Sequence, residues 1–288
     1  MTVQMVASSG VHLNVRSSGH IDGPNVILVH GFPDNQDVWD RVVPLLEPHF
    51  HVVTYDVRGA GGSTAPDSRK GYRISRLIDD LVAVIERVRP DGGPVHLVGH
   101  DWGSVQLWAA VMREGTDQRL ANRIASFTSI SGPGLDLLGH FFASGLRNRE
   151  LGKVGKQFAH SWYILAIQLP FLPEMAFRRF GGRIRAAMTR NQQLRGSAHW
   201  AETFNEDGAN GVNLYRANGL RHTKGTTKVP VQLLVPTKDS FLTLAIYADV
   251  AQFAPDVRRI DIAASHWVVR THPEIIAGKI AAFVEELS

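Results

Sequence analysis

The sequence predicts an α/β protein: a mostly parallel sheet with a block of helices inserted into it. Three observations carry this. Short runs rich in β-branched residues recur at 25–29, 51–57, 95–99, 124–129, 231–235 and 258–262, with helical stretches between most of them, the rhythm of a parallel sheet with crossover helices. Between them, Ile74, Leu77, Ile78, Leu81, Val82 and Ile85 fall at spacings of three and four, which predicts an amphipathic helix over 74–89. From Gly134 to Lys228 the strand rhythm stops, and Arg-rich stretches broken by Pro170, Pro173 and Gly181-Gly182 take over. The expected organisation is therefore a core of residues 1–133 and 229–288 with a helical cap, 134–228, hinged at Gly132-Pro133-Gly134 and at 225–230.

The remaining elements follow in order. Residues 1–19 alternate apolar with polar and lack both the cationic start and the apolar run of a secretory signal, so they predict a strand pair in a cytoplasmic protein. Helices are expected over 105–112, after the third run, and over 274–287 at the end. The most apolar longer stretch, 162–172, contains Gln168 and Pro170 and is too short to cross a bilayer.

With 44% hydrophobic and 20% charged residues, the 288-residue chain suits one large core and excludes disordered, collagen-like and coiled-coil classes. A net charge of +4 is too slight to argue for nucleic acid. Its distribution is uneven, however: the cap holds 14 Lys+Arg against 6 Asp+Glu, and the core 17 against 21. The basic cap reads first as a solvated face and second as a weak peripheral contact with anionic lipid. With no cysteine, no disulfide, thiolate metal site or thiol nucleophile is available. No clustered His and carboxylate pattern predicts a metal.

The chemistry concentrates at Val95-His-Leu-Val-Gly-His-Asp-Trp-Gly-Ser104, a buried strand running into a turn and a helix. Gly99 and Gly103 flank Asp101 as a sharp strand-to-helix elbow requires, where neighbouring side chains would clash. An aspartate there is a nucleophile for an sp³ carbon, forming an alkyl ester; the alternative is a simple helix cap. Upstream, the 25–29 strand ends in His30-Gly-Phe-Pro33, so the Phe32 and Trp102 N–H groups make a candidate oxyanion hole, with His30 structural. The elbow architecture orders its partners nucleophile, acid, histidine. His266, after the last strand, is the expected base; His272 is its rival but starts the final helix. Asp239, after the 231–235 strand, is the expected orienting acid, with Asp136 the fallback and an ordinary loop aspartate the alternative. His140, His160, His199 and His222, all in the cap, read as ordinary surface histidines.

With His30-Gly-Phe-Pro33, Gly59-Ala-Gly-Gly-Ser63, Gly99-His-Asp-Trp-Gly103, Lys238-Asp239 and Ser265-His-Trp267 in place, the chain resembles the α/β-hydrolase-fold epoxide hydrolases over nearly its whole length. Two cap segments extend the resemblance: Tyr163 standing five residues before Gln168, and Asn213-Leu-Tyr215-Arg216. In that family both tyrosines donate protons to the epoxide oxygen. The chain departs from the family where Ile167 replaces an aromatic, Phe171 a glycine and Leu214 a tryptophan, which bears on substrate shape more than on chemistry. Some actinobacterial relatives carry a short-chain dehydrogenase domain after the hydrolase, and this chain, ending at Ser288, fits one half of such a fusion.

The resemblance thus implies hydrolysis of a small hydrophobic epoxide, lipid-derived epoxides among the candidates, to a vicinal diol, with no cofactor. The residues themselves agree, because an epoxide opened by Asp101 leaves an alkoxide that needs a proton. The rival enzyme is a haloalkane dehalogenase with the same Asp-His-Asp triad, which would use the Trp102 ring N–H for halide but finds Phe32 at the usual second-donor site. A non-catalytic ligand-binding protein on this fold usually lacks a triad member, and none is missing. The tyrosines have a plainer alternative as packed rings with satisfied hydroxyls. Nothing in the sequence sets an oligomeric state.

Overall fold

The computed structural model describes all residues except 195, 197–198 and 221–224. Eight strands form one sheet: β1 (Thr2–Ser8), β2 (Val11–Gly19), β3 (Asn25–Val29), β4 (His51–Tyr55), β5 (Val95–His100), β6 (Ile124–Ile130), β7 (Val231–Pro236) and β8 (Val257–Ile262). Their order is β1-β2-β4-β3-β5-β6-β7-β8. The β1/β2 and β2/β4 pairs are antiparallel and all others parallel. β3, β4, β5 and β7 are buried at every position, which is why they read as continuous apolar runs without alternation.

Among the described residues, ten α-helices and four short 3₁₀ helices accompany the sheet; the α-helices are α1 (Val43–Leu46), α2 (Ile74–Val88), α3 (Trp102–Val111), α4 (Leu135–Arg147), α5 (Leu151–His160), α6 (Trp162–Ile167), α7 (Leu172–Asn191), α8 (Phe204–Ala217), α9 (Val268–Thr271) and α10 (Pro273–Glu286). The expected apolar stripe of α2 is the face it buries. Helix α3 begins three residues before the sequence expectation of 105, directly after Asp101, because the elbow leaves no room for a loop. Between β6 and β7 the described residues hold α4 to α8 and no strand. Among the described residues, no helix is long and apolar enough to cross a membrane.

Two clusters of buried side chains sandwich the sheet, one around Leu97, Phe127 and Leu233, the other around Trp39, Phe50 and Trp267. Burying each such side chain is worth about 1.5–3 kcal/mol, so the sheet is the rigid base on which the loops at its edge are held. In the parallel part, Val29 pairs with Gly99, His100 with Ile130, and Pro236 with Ile262, which aligns the carboxyl ends of β3, β5, β6, β7 and β8 along one edge. β3 has its neighbours on either side in β4 and β5, so the loops leaving β3 and β5 open a crevice at that edge.

Candidate active site

Every candidate site residue of the core leaves this edge: Phe32 follows β3, Asp101 and Trp102 follow β5, Asp239 follows β7 and His266 follows β8. Asp101 has φ +52° and ψ −123°, a conformation a non-glycine residue rarely keeps unless its surroundings enforce it. The surroundings do. A Cβ on Gly103 would sit against the Val29 carbonyl oxygen, one on Gly99 against the Ser104 backbone, and one on Gly31 against the Asp101 carboxylate. The elbow's glycines are therefore required by close approach.

The Asp101 carboxylate is oriented by two contacts. The Phe32 N–H donates to Oδ1 at 2.7 Å, and Oδ2 lies 3.5 Å from His266 Nε2. On the other side of the imidazole, Nδ1 meets Asp239 Oδ2 at 2.8 Å, while Asp239 Oδ1 accepts the Phe241 and Leu242 N–H groups at 2.8 and 3.2 Å. The Trp102 N–H, at the first position of α3, is among the amides that a helix leaves without an internal partner. Burial alone would push the His266 pKa down, but the charges and hydrogen bonds of Asp239 and Asp101 outweigh it and lift it to about 10. His266 therefore rests as an imidazolium between two carboxylates. Asp136 and His272 stand outside this arrangement: Asp136 lies in the first turn of α4, and His272 bonds Thr271 before α10.

The cap supplies the tyrosines. Tyr163 of α6 and Tyr215 of α8 meet edge to face, ring centroids 6.1 Å apart, and Tyr215 packs in the same way on Phe32 at 5.3 Å and Trp102 at 4.9 Å. Burial first raises both phenols above their usual pKa; the negative Asp101 adds to it at Tyr163, and Tyr163 and then Asp101 add to it at Tyr215. Both are un-ionised donors at neutral pH. The Trp102 ring beside Tyr215 offsets that rise only in part.

Two cavities meet at these residues. One of about 560 Å³ runs under α6 and α7 among Ile167, Leu172, Phe177, Ile184 and Met188, and one of about 390 Å³ runs toward Leu138, Gln168 and Leu220. Asp101, Tyr163, Tyr215, Phe241 and His266 line both. The reactive groups thus stand at the junction of two mostly apolar compartments, large enough for a small organic ligand. Among the described residues, no cluster of His, Cys, Asp or Glu can hold a metal.

Three cap histidines differ from their surface expectation. His199 buries its side chain, with Nε2 2.5 Å from Asp34 Oδ1, and Asp34 Oδ2 accepts the Trp267 indole N–H at 2.8 Å. His140 meets Asp249 at 3.0 Å, and His160 Nδ1 lies 2.9 Å from the Ser240 carbonyl. Each reaches a core loop, which a composition-based surface reading does not anticipate. His222 lies outside the described residues.

Sequence reasoning also missed Gln157. This fully buried amide on α5 donates to the Phe241 carbonyl at 2.9 Å and accepts the Thr243 N–H at 2.8 Å, tying the cap to the loop that carries Asp239. A glutamine between Lys156 and Phe158 carries no local sign of this. Asp34 was within reach, because it adjoins the His30-Gly-Phe-Pro33 turn.

The alpha/beta hydrolase fold family matches residues 24–273. A Mycobacterium tuberculosis protein named "Probable oxidoreductase EphD" is 35% identical over 290 aligned positions, covering 96% of this chain and 48% of that protein. The chain thus spans about half the length of this relative. Epoxide hydrolase A of the same organism is 28% identical, with 99% of this chain and 98% of the relative covered. Mouse Epoxide hydrolase 3 is 27% identical, covering all of this chain and 77% of its own. Among solved structures, a Bacillus megaterium epoxide hydrolase in complex with an inhibitor superposes with a TM-score of 0.81 at 22% identity, over 98% of this chain and 100% of the other, a likeness of fold.

Proposed function

The chain belongs to the α/β hydrolase fold family, and from that membership and the cavity's geometry we propose that it is an epoxide hydrolase, opening a hydrophobic epoxide to a vicinal diol through an ester on Asp101. One observation carries the reading: a carboxylate nucleophile shares an apolar cavity with two un-ionised tyrosine hydroxyls. A carboxylate alone displaces a halide; phenols beside it are needed only when the leaving group is an alkoxide.

In the first half-reaction, Phe32 N–H holds Oδ1, and Oδ2 attacks an epoxide carbon. The carbon–oxygen bond of the ring breaks as the ester bond forms, and Tyr163 or Tyr215 gives its proton to the departing oxygen. Ester formation removes the Asp101 charge, one of the two that hold His266 as an imidazolium. The imidazolium proton then returns to the tyrosine, and His266 becomes the neutral base that the second half-reaction requires. Oriented by Asp239, it takes a proton from water as that water attacks the ester carbonyl. The Phe32 and Trp102 N–H groups hold the oxyanion. Collapse breaks the ester carbon–oxygen bond, and the departing alkoxide takes the proton of the newly added hydroxyl, so the diol leaves and aspartate, imidazolium and phenol remain.

Two compartments meeting at Asp101 favour an epoxide with apolar groups on both sides of the ring. The dehalogenase reading has less support, because Tyr215 packs on the Trp102 ring and Phe32 offers no second side-chain donor for halide. The test is a panel of aryl and fatty epoxides with diol detection, followed by one turnover in ¹⁸O-water. The label is expected in the Asp101 carboxylate and absent from the first-turnover diol. Label in the diol with none on Asp101 refutes the ester; alkyl halides turned over with every epoxide ignored refute the substrate class.

A further inference from the structure

The outer face of the cap leaves several apolar side chains largely exposed. Phe171 keeps 81% of its surface exposed, Trp162 64%, Leu165 58% and Met175 54%. Single exposed apolar residues are ordinary, but these belong to one continuous stretch: α6, the turn after it and the start of α7. Trp162, Leu169 and Leu172 are each about half exposed or more and also line the larger cavity, so the cavity reaches the surface among them. An apolar crown therefore surrounds an opening to the reactive groups.

Phe171 is the least expected of these residues. Its φ is +63°, the left-handed region, which a bulky aromatic rarely adopts. It accepts that strain while giving its ring to solvent, so internal packing does not account for it. The ring shares a shallow surface depression with Met175, Arg178 and Arg179.

Charge completes the face. Arg179, Arg183 and Arg190 of α7 are exposed and form no salt bridge among the described residues, and the first two guanidiniums stand 5.8 and 5.7 Å from the Phe180 ring. The neighbouring acids are already engaged: Glu174 by Arg216 and Glu206 by Arg178. We propose that this face of the cap docks on an anionic lipid bilayer, with Phe171 and Trp162 in the headgroup region and the arginines on lipid phosphates, so that an apolar epoxide passes from the bilayer into the cavity. The passage of substrate rests on the epoxide hydrolase reading; the docking does not. Aromatic and leucine side chains rimmed by arginine fit such an interface. A second copy of the chain fits poorly, because a two-fold contact through this face sets arginine against arginine.

Flotation of the full chain with vesicles tests the docking without any substrate. Binding is expected to vesicles of phosphatidylcholine mixed with phosphatidylglycerol, little to phosphatidylcholine alone, and at least about 10-fold weaker at 1 M salt, where screening shortens to about 3 Å. Phe171→Gly relieves the backbone strain, so it is expected to keep or raise thermal stability while weakening binding several-fold. Arg179→Glu with Arg183→Glu is expected to weaken binding and flatten its salt dependence. The arginine variant should turn over a water-soluble epoxide like the wild type but a vesicle-borne one more slowly. No flotation with the anionic vesicles at low salt overturns the proposal, as does undiminished flotation of both variants. A concentration-dependent dimer that Phe171→Gly dissolves also overturns it, giving the face to a second copy.

Discussion

The core and the cap hold their half of the site by different means. In the core, four strands are buried at every position, and the elbow's backbone is fixed by close contacts that admit only glycine on either side of Asp101. In the cap, α8 buries seven of its 14 residues, but α5 buries only Gln157 and the 20-residue α7 only Gly181. Polar contacts supplement that sparse packing: Gln157 to the 241–243 loop, His160 to Ser240, His199 to Asp34, Asn210 Nδ2 to the Gly59 carbonyl at 2.9 Å, and Asp207 Oδ1 to the Gly61 N–H at 2.8 Å. The proposed nucleophile thus stands on a packed base, Tyr215 on the well-buried α8 and Tyr163 on a tethered outer layer. Such a layer can separate from the core without unfolding it, since few buried apolar contacts and many individual hydrogen bonds mark the low-stability end of a structure.

The largest effect expected from breaking this arrangement falls on the core. Asp101→Asn keeps the shape of the elbow and removes the nucleophile, so diol formation should drop by about 10⁴-fold or more. His266→Phe separates the half-reactions: it should still alkylate Asp101 and then stall, and mass spectrometry should find the adduct on intact protein. A folded His266→Phe protein that never forms the adduct would move His266 into the first step.

The cap's share comes next. Tyr163→Phe with Tyr215→Phe should slow alkylation by roughly 10²- to 10⁴-fold, the usual size of acid catalysis, while either change alone leaves one donor in place and costs less. Stopped-flow alkylation at the wild-type rate in the double variant would make the tyrosines packing rings. It would also leave the cap with a role in substrate shape alone.

Stability should divide along the same line. A methyl on Gly103 meets the Val29 carbonyl in a strand that cannot move, so Gly103→Ala should cost on the order of 3 kcal/mol and lower the melting temperature. A methyl on Gly182, in the exposed middle of α7, meets nothing within 4 Å and should stabilise by about 0.5–1 kcal/mol through helix propensity. Equal melting shifts in the two variants would deny the contrast.

What the sequence makes legible follows this division. The sheet, the elbow and the order of Asp101, Asp239 and His266 can be read because each depends on local chemistry: a buried strand needs an apolar run, and a sharp turn needs glycine. The position of the two tyrosines at the cavity is anticipated only through family resemblance, since a tyrosine in an apolar helix carries no local mark of where it points. The cap's contacts with the core are not legible. Gln157, His160, His199 and Asp207 bond residues between 80 and 165 positions away, and the polar side that makes such a bond looks in sequence like a side that faces water. The surface expectation for His199 fails for that reason.

The smallest expected effect concerns Asp207, where core and cap meet. Its carboxylate accepts the Gly61 N–H of the core and the Thr203 hydroxyl of its own segment, at 2.8 and 2.7 Å. Burial outweighs these bonds, and with the Asp56 charge adding to it the pKa rises to about 6. The docked form therefore binds a proton between pH 3.8 and about 6 that the undocked form releases. Docking is strongest below that window and weakens as pH rises through it, by on the order of 1–3 kcal/mol for a shift of this size. Hydrogen exchange at the Gly61 amide, corrected for the intrinsic pH dependence of exchange, should report faster opening at pH 7 than at pH 5. Asp207→Asn keeps an oxygen for Gly61 and removes the charge, so its protection should be flat across the window and at pH 7 exceed that of the wild type. Weaker protection in the variant at pH 7 would mean that the charge holds the cap in place, and that hydrogen bonding at this contact outweighs the cost of burial.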